Sequence, residues 1–385
     1  MLDRVYLDWN ATTPLRCEAR AAMTAAWDLI GNPSSVHAEG RQARRLVEDA
    51  RSSIARAVGA SPANVVFTSG GTEANALALS PGAGRGSGFA MQRLVVSAIE
   101  HASVMSGGRF TRDAISAAAV DPSGLINLEG LRGMLAVGPT PLVSLMLANN
   151  ETGAVQPVVE VAAMVHAAGG LLHVDAVQAF GKMPMDITRL GADLVTLSAH
   201  KIGGPKGVGA VVLADPLSAR EPLWYGGGQE KGRRAGTENV VGIAGFGAAA
   251  AAAMRDLEPD AKRLRGLKDR LETGLRESPG MVIVADRVAR LPNTTLFLVP
   301  GLKAETAVIA FDLEGIAVSS GSACSSGKVQ SSHVLEAMGF GGALAQGAVR
   351  LSLGWSTTDA DIERCLEAWR KLRVSLLRGS QRNTA

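Results

Sequence analysis

Residues 194–209 read LVTLSAHKIGGPKGVG. Leu194–Leu197 is a short β-prone run, and it passes directly into Ser198, Ala199, His200, Lys201 and then glycines. A second apolar run, Gly209–Leu213, follows the turn. In open α/β sheets, ligands sit beyond the carboxyl ends of the strands, so a lysine placed there is well sited for chemistry. With few acids near it in sequence, Lys201 is open to a lowered pKa and to Schiff-base formation. The plain alternative is a surface lysine at a turn.

Outward from this segment the same rhythm repeats. Val65–Phe67, Leu94–Val96, Leu142–Leu147 and Leu171–Val174 read as further strands. Arg41–Val58 and Val158–Ala168, which lie between them, have helical spacing. The strands are apolar throughout rather than alternating. That is the pattern of a largely parallel sheet covered on both faces by helices. No Walker A pattern is present, and no GxGxxG follows a strand, so the nucleotide-binding versions of such a sheet are excluded.

After Met254 the character changes. Arg255–Ser278 reads as a charged amphipathic helix with Pro259 near its start, bridging into a second domain. That domain holds strands at Met281–Val284, Thr294–Val299 and Val349–Leu353 and a final helix at Asp359–Leu376. A length of 385 residues suits about two domains. With 46% hydrophobic and 19% charged residues, the chain has ample material for a core. The net charge is +3, and the basic residues are scattered, so no nucleic-acid surface is expected. Val240–Met254, the longest stretch without a polar residue, is too short to span a bilayer and reads as a buried helix, so no membrane partner is expected. Cys17, Cys324 and Cys365 lie far apart, which argues against a disulfide framework. No signal peptide is visible in MLDRVYLDWN, and the cytoplasm is the expected location.

Four more segments carry chemistry. In LLHVDAVQAFG, Asp175 ends an apolar strand and Gln178 follows at a distance that returns it to the same face. A carboxylate there suits a protonated pyridine nitrogen, whereas a helix N-cap is the bland reading. In VVFTSGGTEANALAL, Gly71 and Thr72 open a helix after a strand, where free N–H groups favour a phosphate. The alternative is a capping box built on Thr72 and Asn75. His101, in SAIEHASV, is placed to stack on a planar ring and to shuttle protons. His37, His166, His173 and His333 show no metal-ligand spacing, so no catalytic metal is expected. In VSSGSACSSGKVQSSHV, Cys324 has no local core to join, and an exposed thiol with no function would be a liability, so it reads as a nucleophile. Arg350, on an otherwise apolar strand, needs an anion: a substrate carboxylate or a structural partner.

Taken together the chain resembles the class I cysteine desulfurases, the NifS/IscS-like members of the class-V aminotransferase family. The resemblance runs along nearly its whole length. It is carried by YLDWNATTPL, GNPSSVHAEGR, TSGGTEANALAL, IEHASV, NNETGAVQP, HVDAVQAFGK, SAHKIGGPKGVG, GGGQEKGRRAGTEN, SSGSACSSG and VRLSLGWST. It implies a fold-type I pyridoxal-phosphate enzyme acting as a homodimer. The expected large domain, residues 11–257, has a mostly parallel seven-stranded sheet. The expected smaller α/β domain comprises 1–10 with 258–385 and carries a cysteine loop at about 318–333.

Residue by residue, the resemblance implies that Lys201 carries the cofactor and Asp175 pairs with its ring nitrogen. It places Gln178 on the ring hydroxyl and His101 against the ring. Gly71, Thr72, Ser198 and His200 would hold the phosphate, and Thr237 would reach the phosphate of the partner subunit. Asn150 and Arg350 would face substrate or the cofactor edge. Cys324 would accept sulfur from L-cysteine as a persulfide, releasing L-alanine. The sulfur would pass to an iron–sulfur scaffold protein or another acceptor, and Cys324 would at most ligate a cluster transiently during transfer. One departure is Lys328 in SSGKVQSSHV, where many members carry an acid and a proline. A selenocysteine lyase or an aminotransferase on the same fold needs Lys201 and Asp175 but not Cys324.

Overall fold

The computed structural model describes residues 4–84, 91–214, 218–219, 222–321 and 332–381. Cys324 and Lys328 lie outside the described residues. A seven-stranded sheet runs in the order Val65–Thr68, Gly209–Leu213, Leu194–Ser198, Leu171–Asp175, Pro141–Met146, Arg93–Ser97, Ile115–Ala118. All neighbours pair in parallel except Gly209–Leu213, which is antiparallel to the strands on both sides of it. The strand Val65–Thr68 therefore points the same way as the parallel five. Its carboxyl end opens on the same edge as theirs.

Period-two alternation feeds two different cores. Val143, Leu145, Val174, Val195 and Leu197 pack with Ile54, Val161 and Phe246 from helices Ala38–Ala57, Val158–Ala167 and Val240–Arg255. Their neighbours Leu142, Leu194 and Val211 pack on the other side with Ala74 and Leu77 of helix Gly71–Ala78. Burial of both faces explains why these strands read as continuous apolar runs. Ile115–Ala118 escapes such a reading because it is the edge strand, with Ser116 and Ala117 exposed.

A third core belongs to the chain's two ends. Val5–Tyr6 pairs in parallel with Ile316–Ala317. A four-stranded antiparallel sheet runs Val282–Ile283, Thr294–Leu298, Val349–Ser352, Ser319–Ser320. Leu264, Leu271, Phe297, Phe311 and Trp369 fill the space between it and helices Leu257–Arg276, Ala304–Leu313 and Asp359–Gln381. A further apolar cluster joins Ile99 and Met146 to Leu296, Leu298, Val334 and Leu335. The charged helix expected from Arg255 starts at Leu257. It is bent by 69° from Val240–Arg255, with Pro259 in its first turn, where a missing N–H costs no helical bond. Among the described residues no single helix is long and apolar enough to cross a membrane.

Candidate active site

The segments that follow five strands of the large sheet meet at its carboxyl edge around a cavity of about 490 Å³. Lys201, Asp175, His101 and Gln178 all line it. So do Gly71, Thr72, Ser198 and His200 on one side and Asn150 and Arg350 on another. These ten expected site residues come from loops far apart in sequence.

Lys201 ends a single 3-10 turn, Ala199–Lys201, that begins as soon as its strand stops. Its Nζ donates to the carbonyls of Asn10 and Ala11, at 2.6 and 2.8 Å. Burial pulls its pKa from 10.5 to about 8, helped by the charge of Arg350 and opposed by Asp8 and Asp175. A measurable fraction of the amine is therefore neutral near physiological pH, as a nucleophilic lysine requires.

Asp175 is 6% exposed. Its Oδ1 accepts from the Val177 backbone N–H at 3.0 Å, as a capping aspartate would. Its Oδ2 accepts from Asn75 Nδ2 at 2.8 Å. Behind Asn75 the donors can be assigned in order. Thr196 donates its hydroxyl to Asn75 Oδ1, at 2.6 Å. Thr196 Oγ1 must then accept from His173 Nε2, at 3.1 Å, which leaves His173 Nδ1 to accept from Ser144 Oγ, at 2.8 Å. Burial lowers the His173 pKa to about 4, which keeps this ring neutral. The fully buried chain Ser144–His173–Thr196–Asn75 thus fixes the orientation of Asp175.

His101 caps the short helix Ala102–Met105, and its Nδ1 accepts from the Ser103 backbone N–H at 3.2 Å. A backbone N–H only donates, so the neutral ring carries its proton on Nε2. Burial favours that neutral form by lowering the pKa; Asp175 opposes, and Lys201 and His333 add to the shift.

Helix Gly71–Ala78 starts on Gly70, not on a Thr72 cap, so the capping-box alternative is not what forms. Its first N–H groups have no partner inside the helix. A Cβ on Gly71 would come within 3.2 Å of Val177 Cγ2 and 3.5 Å of Ser198 Cβ. This glycine therefore keeps a narrow cradle open beside the Thr72 and Ser198 hydroxyls. The donor set fits a phosphate, and the carboxylate and amine elsewhere in the cavity fit the ring and aldehyde of pyridoxal phosphate.

Arg350 is 5% exposed. It donates to Asp8 Oδ1 at 2.8 Å and to the Asn150 carbonyl at 3.0 Å, while its Nε has no partner among the described residues. The structural partner of the bland reading is therefore present in Asp8, and Arg350 also lines the cavity.

Thr237 does not join this cavity. It lines another, of about 220 Å³, with Arg234 and Glu230. Glu230 and Lys231 there adopt left-handed φ of 47° and 58°. Both Glu230 oxygens are held by Arg51, and one also accepts from the Phe67 N–H. Such fixed partners sustain a backbone that non-glycine residues rarely adopt.

The aminotransferase class-V family model matches residues 5–365. A cysteine desulfurase from Cereibacter sphaeroides is 42% identical over 379 residues, 95% of each chain. Cysteine desulfurase 2 from Trichormus variabilis is 40% identical over 368 residues, 94% of this chain and 91% of that protein. The chain belongs to the cysteine desulfurases of the class-V aminotransferase family. Among solved structures, the NifS-like protein from Rickettsia africae superposes with a TM-score of 0.87 at 37% identity, covering 96% and 99% of the two chains. SspA, solved in complex with cysteine, superposes at 0.75 with 30% identity, covering 91% and 98%. The family depends on pyridoxal phosphate.

In this desulfurase several residues at the site carry no signal in sequence. Asn75 appears there only as the third position of a capping box, and His173 only as one of several unassigned histidines. Asn10 links segments nearly three hundred residues apart: its Nδ2 donates to the Asn150 carbonyl and to Thr294 Oγ1, and its Oδ1 accepts from Asn293 Nδ2. The motif YLDWNATTPL contains Asn10, but nothing in its spacing shows that the amide closes the floor of the cavity.

Proposed function

We propose that this chain uses pyridoxal phosphate on Lys201 to take sulfur from L-cysteine and hold it as a persulfide on Cys324. The observation that carries the reading is the meeting of Lys201, Asp175, the Gly71–Thr72 cradle and Arg350 around one cavity. Pyridoxal phosphate, when bound, supplies an electron sink that makes the substrate Cα–H acidic and its Cβ–S bond breakable.

The protein's own groups do the rest. Asp175, oriented by Asn75, faces the ring nitrogen and keeps it protonated. The Thr72, Ser198 and His200 side chains and the helix N-terminus hold the phosphate. Lys201, with a pKa of about 8, removes and returns the substrate α-proton. His101 holds a proton at Nε2 as the second acid. Arg350, which lines the cavity with Asn150, takes the substrate carboxylate. Cys324 thiolate then attacks the substrate sulfur. An S–S bond forms, the Cβ–S bond breaks with its electron pair going to carbon, and protonation of that carbon yields alanine.

The same proposal covers the larger assembly. Residues 11–257 form the cofactor domain and 1–10 with 258–385 the smaller one, supported by the pairing of Val5–Tyr6 with Ile316–Ala317. Thr237 lies away from its own chain's Lys201 cavity, which supports a homodimer in which it reaches the partner's phosphate. The persulfide passes to an iron–sulfur scaffold or another thiol acceptor. A reducing compartment, the cytoplasm, keeps such a thiol available.

The test is incubation with L-cysteine and pyridoxal phosphate, assaying alanine and protein-bound sulfur together. Extra sulfur should map to Cys324. Cys17 is exposed at the start of its helix, and Cys365 is buried with its thiol pushed up to about 12. Cys324→Ala should keep the cofactor and form no persulfide. Alanine release from cysteine at the wild-type rate in that variant would favour a lyase instead.

A further inference from the structure

One buried amine of this site has no part in the chemistry above. Lys182 closes the motif HVDAVQAFGK and lies behind the cofactor cavity, where it lines a pocket of about 40 Å³ shared with Lys201, Trp9 and Asn293. Its Nζ donates to Gln178 Oε1 at 2.7 Å and to Asn10 Oδ1 at 3.0 Å. Burial pushes its pKa well below 10.5, and Lys201 and Arg350 push in the same direction. Even a neutral amine keeps two hydrogens, enough for both bonds.

The consequence falls on Gln178. A side-chain amide has a donor end and an acceptor end of nearly equal shape, and only its partners decide which points where. Here Oε1 is occupied by the lysine, and Nε2 donates one hydrogen to the Asn10 carbonyl at 3.0 Å. The second Nε2 hydrogen has no partner among the described residues, and Gln178 lines the cavity. Reversing the amide would set its oxygen against the Asn10 carbonyl and, against the ammonium form of the lysine, donor against donor. Asn10 alone is a weak guarantor, because the same carbonyl also accepts from Lys201. Lys182 holds Gln178 and Asn10 together, and its donor bond to Gln178 is lost if that amide turns.

We propose that Lys182 is a positioning residue that fixes the amide of Gln178 with its N–H toward the cofactor ring. A donor is the polarity that a ring oxygen bearing negative charge needs, whereas an amide oxygen in its place would repel it. This inference rests on the proposal that pyridoxal phosphate occupies the cavity with Gln178 at its ring hydroxyl.

The experiment titrates apoprotein with pyridoxal phosphate, following visible absorbance, and then titrates the bound cofactor's absorbance with pH. Lys182→Met should weaken cofactor binding about tenfold, the scale of one hydrogen bond to a charged group, and should move the pH midpoint of the absorbance. Gln178→Met should do both to a similar extent, and the double variant should be no worse than either single one, because the lysine acts through the glutamine. Lys182→Arg, which can donate to both partners, should restore binding and midpoint. Lys182→Leu is measured in parallel so that a folding failure of the methionine variant leaves the test standing. Wild-type binding and midpoint in a folded Lys182→Met or Lys182→Leu protein would overturn the inference, as would additive effects of Lys182→Met and Gln178→Met. A wild-type protein that takes up no cofactor on Lys201 would instead overturn the cofactor reading itself, which a borohydride-reduced, mass-mapped sample distinguishes.

Discussion

At the residue scale, burial and charge set when each group can act. Lys201 has a pKa of about 8, so it is mostly ammonium at pH 7 and mostly neutral at pH 9. Only the neutral amine attacks an aldehyde. The rate of cofactor attachment to apoprotein should therefore rise with pH, with a midpoint near 8, and Lys201→Ala should show no attachment; absorbance after rapid mixing reads both. Glu151 poses the opposite case. Burial raises its carboxyl from 4.5 to about 7, against the Ser332 hydrogen bond and the charge of Arg350. A carboxyl whose pKa is raised on folding contributes stability fully below its unfolded pKa and loses it as pH climbs through the folded one. The fall between pH 4.5 and pH 7 should be on the order of 3 kcal/mol. Glu151→Gln cannot ionise, so urea unfolding of this variant should show less loss of stability than wild type between pH 4.5 and pH 8. Parallel curves for the two proteins would sink the assignment.

At the element scale, close helix contact and one aromatic cluster hold the frame. Helices Ala38–Ala57 and Val240–Arg255 cross closely at Gly247, where a Cβ would stand 2.5 Å from Ala50 Cα, a backbone atom that cannot step aside. That close approach explains the Gly/Ala-rich sequence that looked merely buried. In the smaller core, Trp369 stacks on Phe311 at 6.2 Å, meets Phe297 edge-on at 5.2 Å, and donates its indole N–H to Ser278 Oγ at 2.8 Å. Trp369→Ala removes a fully buried ring and one of the two donors to Ser278 Oγ, the other being Arg373. It should destabilise the protein by about 3–5 kcal/mol in chemical denaturation. The Lys201 cavity lies against a different core, so the folded fraction should still bind cofactor.

At the scale of the whole molecule, the proposed site is shared. If Thr237 completes the partner's phosphate site, Lys201→Ala and Thr237→Ala subunits are each defective for different reasons. In a mixed dimer one site collects both lesions and the other none. Co-expression with two affinity tags should therefore yield heterodimers that recover up to about half the wild-type activity per dimer, since one of two sites is intact. Purified heterodimers as inactive as either parent would show that each chain builds its site alone.

The parallel sheet, the helix-rich layers and the placing of the lysine, the aspartate and the Gly-Gly-Thr turn at strand ends are legible in the sequence because each is a local pattern. An apolar run covered on both faces, a Gly-Gly-Thr turn before a helix, and a polar residue at a strand's end all lie within a few neighbouring residues. The edge strand Ile115–Ala118 is not legible, since one exposed side and an alanine-rich composition erase the apolar run on which such a reading depends. The hydrogen-bonded chain behind Asp175, the amide of Asn10 beneath Lys201, and Lys182 at the back of Gln178 are not legible either. Their partners lie up to 284 residues apart, as between Asn10 and Thr294, and hydrogen bonding has no period in sequence. The sequence by itself determined which chemical groups this protein owns and the order in which they lie along the chain. Tertiary structure alone decided which donor faces which acceptor, because that follows from where the strand ends converge in space.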